Sequence, residues 1–400
     1  MGIKTLDKAI FKNKKVLIRL DFNVPIDKVD SSKILDPFRI DSSIPTIKYI
    51  LDQGAAKIIL MSHLGRPDGK VNSKYSLMPI AEYLAVKLHQ EVILTETCLD
   101  TSIPTLINLP NTKIVLLENL RFHKEEESND PLFAEKLASY AQIYVNDAFG
   151  VSHRKHASVY EIIKFFPKEH YAGLLLAKEV ECFEKILGKP QKPFYALMGG
   201  AKVSDKIKII EKLLVSVDKL LIGGAMSYPF LKSKGLEVGK SLCSDDDIEL
   251  AKKILQMDRS NKIILPIDHV SSKSINAENA DDLIISETIP SDYMALDIGP
   301  KTTEYYQKIL SSGKTIFWNG PMGLFEKPLF SNGTFQLAKY IATLKSSCFT
   351  IVGGGDSGNA VLQAGLQNEF SHLSTGGGAS LEFIEAGELP GVQALKFGLN

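Results

Sequence analysis

Two consecutive strand–glycine–helix patterns between residues 349 and 383 constrain the fold of this chain more than any other stretch. The first places G-G-G-D-S-G at residues 353–358 after the apolar segment Phe349–Val352. The second places T-G-G-G at residues 375–378 after His372–Ser374. A strand that ends in glycines and passes directly into a helix is typical of a parallel sheet covered by helices.

These glycine clusters also suit the binding of phosphate groups. Glycine lets the backbone approach a ligand closely, and the first turn of a helix offers N–H groups that have no partner within the helix. Asp356 would repel a bare pyrophosphate, but a Mg²⁺ ion between them would make its carboxylate a ligand. We therefore predict a site for a metal–nucleotide triphosphate. Two alternatives stay open here, because Gly353, Gly355 and Gly358 also match the dinucleotide pattern G-x-G-x-x-G, and such glycines often form only tight turns.

Length, charge and cysteine usage limit the classes of function. A chain of 400 residues is long enough for two or three domains. Its 47 basic residues balance 47 acidic ones, so bulk charge gives no reason to expect nucleic acid or membrane binding. There is no membrane-spanning apolar run and no recognisable secretory signal. The cysteines are far apart in the sequence, at Cys98, Cys182, Cys243 and Cys348. This spacing indicates buried thiols in a reducing compartment, so we expect a cytoplasmic protein.

Arginine is rare in this chain, which makes its positions informative. Most of the 47 basic residues are lysine. Where a lysine-rich chain uses arginine, we expect a need for a planar donor of two parallel hydrogen bonds. All but the last arginine lie within the first 154 residues; the set is Arg19, Arg39, Arg66, Arg121, Arg154 and Arg259.

The first half of the chain alternates apolar segments with helical patterns. Predicted strands begin at Lys15 and cover Ala56–Met61, Glu91–Leu94, Lys113–Glu118 and Ile143–Val145, and predicted helices cover Asp41–Leu51, Leu77–Leu88 and Pro131–Tyr140. This alternation predicts a parallel sheet with right-handed crossovers, in which ligands bind beyond the carboxyl ends of the strands. Asp21, Asn23, Arg66, Arg121 and Arg154 follow strands directly, so we expect them at that edge.

A long helical pattern from Tyr171 to Leu187 is predicted to link two domains. The segment 188–193, with one glycine and two prolines, ends it. The second half repeats the alternation, with strands predicted at Phe194–Met198, Lys219–Ile222, Lys262–Ile267, Ala295–Ile298, Thr315–Trp318 and Phe349–Val352. We therefore predict an α/β fold of two doubly wound, parallel-sheet (Rossmann-like) domains joined by a hinge helix.

Lys202 and Lys206 follow a Gly-Gly turn and are four residues apart, so a helix would present both on one face beside a phosphate. A solvated lysine pair explains the spacing equally well. His63, His153 and His156 lie in the arginine-bearing loops, but they lack the spacing of a zinc site.

The two halves of the chain carry complementary features. Arginine and histidine at strand ends of the first half suit a small, multiply anionic substrate, and the second half suits a metal nucleotide. A phosphoryl group passing between such sites would account for both. The chain has no H-R-D-x-x-x-x-N loop to activate a hydroxyl acceptor. A carboxylate acceptor needs no general base, only positioning and charge stabilisation.

The chain resembles the phosphoglycerate kinase family from end to end. The segments that carry this resemblance are Val16–Pro25, Ser62–Pro67, Glu118–Phe122, Tyr144–Gly150, His153–Ser158, Gly199–Lys206, Leu296–Thr302, Phe317–Glu326, Gly353–Ser357 and Ser374–Glu382. The resemblance implies a monomeric phosphotransferase with a carboxyl acceptor, which passes a phosphoryl group reversibly from 1,3-bisphosphoglycerate to MgADP, giving 3-phosphoglycerate and ATP in glycolysis and gluconeogenesis. It implies a 3-phosphoglycerate domain over residues 1–170, to which residues 389–400 return. An interdomain helix over 171–188 and a nucleotide domain over 189–388 complete the expected organisation.

The resemblance also implies roles for individual residues. The phosphoglycerate would be held by Asp21, Phe22, Asn23, Arg39, His63, Leu64, Gly65, Arg66, Arg121 and Arg154. The nucleotide would be held by Gly200, Ala201, Lys202, Lys206, Gly223, Gly224, Ala295, Asn319, Glu326, Gly354, Gly355, Asp356 and Ser357. Glu326 would meet the ribose and Asp356 the Mg²⁺. During transfer, with the domains closed, the phosphoryl group would be surrounded by Arg39, Lys202, Gly376 and Gly377.

Four residues depart from the family pattern. Ala225 and Ala295 stand where glycine is common, Ser357 where threonine is usual, and His269 where an apolar residue is usual. The first three are candidates for altered nucleotide affinity or base selectivity. A nicotinamide-dependent dehydrogenase and a non-catalytic nucleotide-binding protein are the alternative classes. The dehydrogenase leaves the arginine loops unexplained, and the intact set of charged residues argues against lost activity.

Overall fold

The apolar segments of the chain pair into two six-stranded parallel sheets in the computed structural model, which describes residues 2–399. Each sheet belongs to a separate unit of the chain: residues 2–181 with 388–399 form the first, and residues 182–387 form the second. The predicted α/β fold with two parallel-sheet domains is confirmed. No helix within residues 2–399 is long and apolar enough to cross a membrane.

The sheet of the first unit has β1 at its centre. Its strands are β1 (Lys15–Arg19), β2 (Lys57–Met61), β3 (Val92–Leu94), β4 (Ile114–Leu116), β5 (Ile143–Asn146) and β6 (His170–Ala172), in the order β3-β4-β2-β1-β5-β6. The helices of this unit that follow β1 to β4 are α1 (Phe38–Asp52), α2 (Met78–Leu88), α3 (Ile103–Asn108), α4 (Lys124–Glu127) and α5 (Pro131–Ala138), of which the last two both follow β4. Every residue of β2 is buried, as expected for a strand covered by helices on both faces.

The linking helix, α6 (Leu174–Leu187), begins later than the sequence predicts. The predicted start at Tyr171, and with it the interdomain helix over 171–188, is wrong because Tyr171 pairs with β5 as part of β6. Gly173 lies between the strand and the helix. A larger residue does not fit there, because a Cβ would lie 2.2 Å from Oδ1 of Asp147. That carboxylate accepts a backbone N–H of the first turn of α6 at 3.0 Å, which fixes where the helix begins. The division between the two units falls inside α6.

The parallel sheet of the second unit is centred on β13 and β7. Its strands are β7 (Phe194–Met198), β8 (Lys219–Ile222), β9 (Ile263–Ile264), β13 (Thr315–Asn319), β14 (Phe349–Gly353) and β15 (His372–Leu373), in the order β15-β14-β13-β7-β8-β9. Its helices are α7 (Ile207–Ser216), α8 (Ser227–Ser233), α9 (Asp245–Met257), α10 (Pro300–Leu310), α11 (Asn332–Thr343), α12 (Gly355–Gln363) and α13 (Gly378–Ala386). The strand predicted at Lys262–Ile267 is longer than the observed strand β9. Pro266 cannot extend β9, because it has no N–H to donate to a neighbouring strand.

A small antiparallel sheet in the second unit was not predicted. It consists of β10 (His269–Ser272), β11 (Leu283–Ser286) and β12 (Met294–Ile298), in the order β11-β10-β12. The strand predicted at Ala295–Ile298 belongs to this sheet and not to the parallel one. The register of β10 against β12 shifts between Val270 and Ser271, which marks a bulge.

The last helix, α14 (Pro390–Phe397), packs in the first unit. The backbone N–H of Gly391 donates to the carbonyl of Ser152 at 2.8 Å. A Cβ at Gly391 would lie 2.8 Å from Cγ1 of Val159, so the close contact requires glycine. Val392 and Leu395 of the same helix are buried.

Candidate active site

The polar residues predicted to bind the anionic substrate lie in the first unit, where β1 and β2 end. Arg39 lies in the first turn of α1, and its Nη1 donates to Oδ2 of Asp21 at 3.2 Å and to the carbonyl of Asn23 at 3.0 Å. Oδ1 of Asn23 accepts the backbone N–H of Gly65 at 2.9 Å, which joins the loops after β1 and β2. The Arg39 side chain is 29% exposed. Its guanidinium is therefore held in place while part of it stays open to a ligand.

The other arginines of this group differ in how firmly they are held. Arg121 is buried, with Nη1 donating to the carbonyl of Gly65 at 2.8 Å and Nε paired with Oε1 of Glu127 at 3.2 Å. Arg154 is partly buried beside His153, 3.1 Å from Nε to Nε2. Arg66 is exposed and makes no hydrogen bond or ion pair with another residue of the range 2–399. Arg66 is therefore the most exposed of these three arginines.

Two predicted substrate residues place their side chains away from the surface. Phe22 is fully buried, and its backbone N–H donates to Oγ of Ser62 at 2.8 Å. Leu64 is 3% exposed, and its carbonyl accepts from Nδ2 of Asn119 at 2.8 Å. Neither side chain presents a polar group, so these residues shape the loops that carry Asn23 and Gly65.

A buried charge pair that the sequence reasoning did not place in the site lies beneath this cluster. Arg19, at the end of β1, and Glu126 of α4 are both fully buried, with 3.8 Å between Nη2 and Oε1. Nε of Arg19 donates to Oγ of Ser158 at 2.8 Å, and the same hydroxyl donates to Oε1 of Glu126 at 2.6 Å. Only the count of arginines signalled that Arg19 is unusual, because nothing local identifies its partner in α4.

The histidines of the cluster are kept neutral. Burial lowers the pKa of His63 well below its usual value, and the charges of Arg19, Arg121 and Arg39 lower it further. Its Nδ1 lies 3.3 Å from Nη2 of Arg19, which can only donate, so Nε2 carries the proton. Burial and the neighbouring arginines likewise lower the pKa of His156 to about 3. Cations that depress the pKa of every nearby imidazole mark a strongly positive region, which suits a multiply anionic ligand.

In the second unit, glycine turns follow the carboxyl ends of the parallel strands and pack against each other. Gly320, after β13, has φ +92°, and a Cβ there would lie 2.2 Å from the carbonyl oxygen of Gly199, after β7. Gly354, after β14, has φ +96°, and a Cβ there would lie 2.5 Å from Nδ2 of Asn319. Only glycine permits both the positive φ and this approach. Gly223 is buried in the turn after β8, where a Cβ would lie 2.5 Å from Sδ of Met322.

A largely apolar cavity of about 450 Å³ opens beside these turns. Of the residues predicted to bind nucleotide, those that line the cavity are Gly200, Ala201, Gly224, Ala295, Glu326 and Asp356. Its apolar wall includes Tyr228, Leu242, Ile275, Met294 and Leu324. A cavity of this size and lining, with a few charged groups at its margin, suits a nucleoside.

The two predicted phosphate lysines differ sharply. Both precede α7, so they do not share a helix face as their spacing suggested. Lys202 is exposed and makes no hydrogen bond or ion pair with another residue of the range 2–399. Lys206 donates from Nζ to the carbonyl of Gly199 at 2.7 Å and to Oδ1 of Asn319 at 2.5 Å. Burial lowers the pKa of Lys206 to about 8.

The helices α12 and α13 begin at glycine turns without a side-chain cap. Their N-cap residues are Gly354 and Gly377, so the N–H groups of the first turns have no side-chain acceptor. Asp356 is exposed in the first turn of α12 and lines the cavity. Gly376 is buried just before α13, with its N–H donating to Oγ of Ser374 at 3.1 Å. Residues 2–399 contain no cluster of three or more His, Cys, Asp or Glu that would hold a metal unaided.

Comparison with known proteins identifies the family. A sequence profile of the phosphoglycerate kinase family matches residues 6–387. The phosphoglycerate kinase of Anaeromyxobacter dehalogenans is 49% identical over 400 residues, covering 98% of this chain and 99% of that protein. The cytosolic phosphoglycerate kinase of Triticum aestivum is 47% identical over 398 residues, 98% of each chain. The structure of phosphoglycerate kinase from Coxiella burnetii matches with a TM-score of 0.85 and 35% identity, covering 99% of this chain and 98% of that one.

The chain belongs to the phosphoglycerate kinase family. The resemblance inferred from the motifs is thereby confirmed, and so is the predicted activity, a phosphotransferase reaction with a carboxyl acceptor. The dehydrogenase alternative is excluded, since the family match includes the glycine turns on which it rested. The roles of individual residues remain predictions.

The four departures from the phosphoglycerate kinase pattern lie in or beside the cavity of the second unit. Ala225 and Ala295 line it directly. Ser357 is fully buried, and its hydroxyl donates to the carbonyl of Gly353 at 2.6 Å and accepts the N–H of Gly320 at 3.1 Å. That hydroxyl therefore holds the turns together and does not face a ligand. His269 is 3% exposed and packs edge-on against Tyr228, with ring centroids 6.0 Å apart.

Much of the cavity wall went unrecognised in the sequence. Leu242 and Ile275 are apolar residues in loops, and Met294 opens a strand of the unpredicted antiparallel sheet. Leu242 and Ile275 are large apolar residues that stay 57% and 45% exposed, which marks them as candidates for ligand contact. The sequence does not show this exposure, because it depends on the folded structure.

Proposed function

We propose that the first unit binds 3-phosphoglycerate at the arginine cluster and that the second unit binds ADP or ATP at the glycine turns and the cavity. The observation that carries this division is that each parallel sheet has one set of groups beyond its strand ends. The first sheet has Arg39, Arg121 and Arg154 there, with neutral histidines. The second has the glycine turns, the lysines and the apolar cavity.

The nucleotide would lie with its base against the apolar wall of the cavity and its ribose near Glu326. Its phosphates would follow the glycine turns toward Lys202 and Lys206. The uncapped first turns of α12 and α13 would supply backbone N–H groups to phosphate oxygens. This arrangement uses apolar surface for the base and positive charge for the phosphates.

A Mg²⁺ ion would be held by Asp356 together with phosphate oxygens. The residues fit this ion: one exposed carboxylate at the margin of the cavity matches the preference of Mg²⁺ for few protein ligands and several phosphate or water oxygens. When bound, the ion would neutralise phosphate charge.

Replacement of Asp356 by asparagine is expected to raise the Mg²⁺ concentration needed for half-maximal rate. The amide removes the negative charge but keeps the size of the side chain. Affinity for 3-phosphoglycerate is expected to stay near that of the parent, because Asp356 belongs to the second unit. A rate measured against Mg²⁺ concentration tests this, and equal Mg²⁺ dependence in variant and parent would assign Asp356 to the helix terminus alone.

The transfer step itself needs orientation and positive charge. The acceptor carboxylate of 3-phosphoglycerate is already a nucleophile, so no side chain has to remove a proton from it. Charge builds on the equatorial oxygens of the phosphoryl group in flight, and preorganised donors stabilise it. We assign that role to Arg39 from the first unit and to Lys202, Gly376 and Gly377 from the second.

Closure of the two units follows as a prediction from this division. The reacting atoms must approach to about 3–3.5 Å, and each substrate is assigned to a different unit. We expect a hinge at the ends of α6 and near Ser374–Gly376, with full closure only when both substrates are bound. Small-angle scattering of the apo, single-ligand and ternary states tests this. A radius of gyration that does not fall in the ternary state would contradict it.

A coupled assay of ATP-dependent phosphorylation of 3-phosphoglycerate, with and without Mg²⁺, tests the proposal as a whole. We expect activity only with the metal.

We also expect a monomer, since one chain carries both sets of groups, and sedimentation equilibrium would measure this. The thiols Cys98 and Cys348 are buried and form no disulfide bond, which supports the expected cytoplasmic location.

A further inference from the structure

The ammonium group of Lys206 is enclosed by neutral oxygen atoms. Its Nζ lies 2.7 Å from the carbonyl of Gly199, 2.5 Å from Oδ1 of Asn319 and 3.5 Å from the carbonyl of the same asparagine. An ammonium has three N–H groups, so these acceptors use all of them. No ion pair joins Lys206 to another residue within 2–399. The lysine assigned to the nucleotide phosphates thus has its donors occupied before any phosphate arrives.

The amide of Asn319 is held in one orientation. Its Nδ2 donates to the carbonyl of Gly353 at 2.8 Å, and since a carbonyl can only accept, Oδ1 must face Lys206. The side chain is 1% exposed. The same carbonyl of Gly353 accepts from Oγ of Ser357 at 2.6 Å. Asn319 therefore connects Lys206 to the glycine turn that precedes α12, and Asp356 lies in the first turn of that helix.

The surroundings leave the charge of Lys206 uncompensated. Burial lowers its pKa to about 8, and the more distant carboxylates of Asp356 and Asp205 only partly oppose this. The residues that bind it, Gly199 just after β7 and Asn319 at the end of β13, carry no charge. A buried cation that only dipoles hold is drawn strongly to an arriving anion.

We propose that Asn319 is a positioning residue that keeps the Lys206 ammonium in a retracted position among neutral carbonyl groups, from which it turns to the phosphates when the nucleotide binds. This rests on the proposed function only in taking Lys206 as a phosphate ligand. An amide suits the task because it accepts a hydrogen bond without neutralising the cation. A carboxylate in its place would pair with the lysine and compete with the phosphate.

The arrangement couples nucleotide binding to a proton. As the pH rises through about 8, Lys206 of the free enzyme loses its proton. A bound phosphate favours the charged form and restores it. Binding of MgADP above that pH is therefore expected to take up a proton at Lys206, and affinity is expected to fall as the pH rises. The phosphate groups of ADP add nothing there, because their second ionisation lies near pH 6.

The test is calorimetry of MgADP binding to the full-length enzyme at pH 6.5 and pH 8.5, in two buffers of different ionisation enthalpy. We expect proton uptake in the unsubstituted enzyme at the higher pH only. In Asn319→Asp, which keeps the shape of the side chain, we expect affinity for MgADP to fall about tenfold, because Lys206 must leave an ion pair and not a hydrogen bond to a neutral amide. We also expect the uptake at pH 8.5 to disappear in this variant, since the paired lysine stays protonated.

Two further variants separate the possible failures. Asn146→Asp makes the same change at the end of β5 in the other unit, where Asn146 is fully buried, and is expected to bind MgADP as the parent does. Lys206→Met is expected to weaken MgADP binding and abolish the uptake. If Lys206→Met binds MgADP normally, the assignment of Lys206 to the phosphates is wrong. If Lys206→Met is impaired but Asn319→Asp matches the parent in affinity and uptake, Asn319 only stabilises the turn, and the proposal fails. Absence of uptake in the unsubstituted enzyme would overturn the proposal whether or not the variants fold.

Discussion

Replacement of Arg39 by alanine is expected to lower kcat by about 10²-fold or more, the scale of losing one well-placed donor to a transition state. The guanidinium is held by Asp21 and by the carbonyl of Asn23, so it needs little reorganisation to meet the transferring group. Phosphoryl transfer spreads negative charge over the equatorial oxygens, and a planar guanidinium can donate hydrogen bonds to two of these oxygens at once. Steady-state kinetics in both directions would measure the effect.

The control for this prediction is Arg66→Ala. Arg66 is exposed and makes no hydrogen bond or ion pair with residues 2–399, so its removal is expected to raise the KM for 3-phosphoglycerate with little change in kcat. Arg39→Lys keeps the charge but loses the two-pronged donor, and we expect it to recover only part of the lost rate. A raised KM with unchanged kcat in Arg39→Ala would leave Arg39 a binding residue only.

Replacement of Arg19 by methionine is expected to destabilise the first unit by about 3–5 kcal/mol, the usual effect of leaving a buried charge without its partner. Glu126 is fully buried, and its remaining hydrogen bonds, from the backbone N–H and Oγ of Ser158, do not neutralise it. Burial and the charges of Arg121 and Arg154, which this variant keeps, lower the pKa of His156 and so oppose its replacing the lost cation. Hydrogen exchange at β1 and β5 would report the loss.

Two comparisons make this prediction specific. The double variant Arg19→Met with Glu126→Met is expected to be more stable than Arg19→Met alone, because an apolar pair replaces the stranded carboxylate. Lys301→Met removes one member of an exposed pair with Glu287 and is expected to have little effect. The fluorescence of Trp318, fully buried in the second unit, provides an internal reference. Equal destabilisation of the single and double variants would mean that lost packing, and not the stranded charge, determines the stability.

The parts of the fold that follow from local signals could be predicted. Strands such as β2 and β13 have apolar centres, and the rule that ligands bind beyond the carboxyl ends of parallel strands makes Arg121 and the glycine turns candidates for ligand binding. The roles assigned to these residues came from the resemblance, because local patterns do not specify a substrate.

The parts that depend on distant pairing could not be predicted. Tyr171 matches a helical pattern, yet it belongs to β6 because β5 offers it a partner. The antiparallel sheet arises from β10 pairing with segments on either side, and only that pairing brings Met294 to the cavity. The bonds of Lys206 likewise depend on Asn319, which is far away in sequence. Single-sequence patterns carry no information on such long-range partners.

The packing of α14 in the first unit means that this unit is interrupted in the chain by the whole of the second. On the ribosome, the strands of the first sheet emerge long before the helix that completes their unit. At ordinary rates of translation, the roughly 200 intervening residues take on the order of 10–40 s to synthesise. During that interval the surface around Ser152 and Val159, which α14 covers in the finished protein, stays open to solvent. The second unit is continuous and has no such delay, so the part of the chain that is made first is the last to be completed.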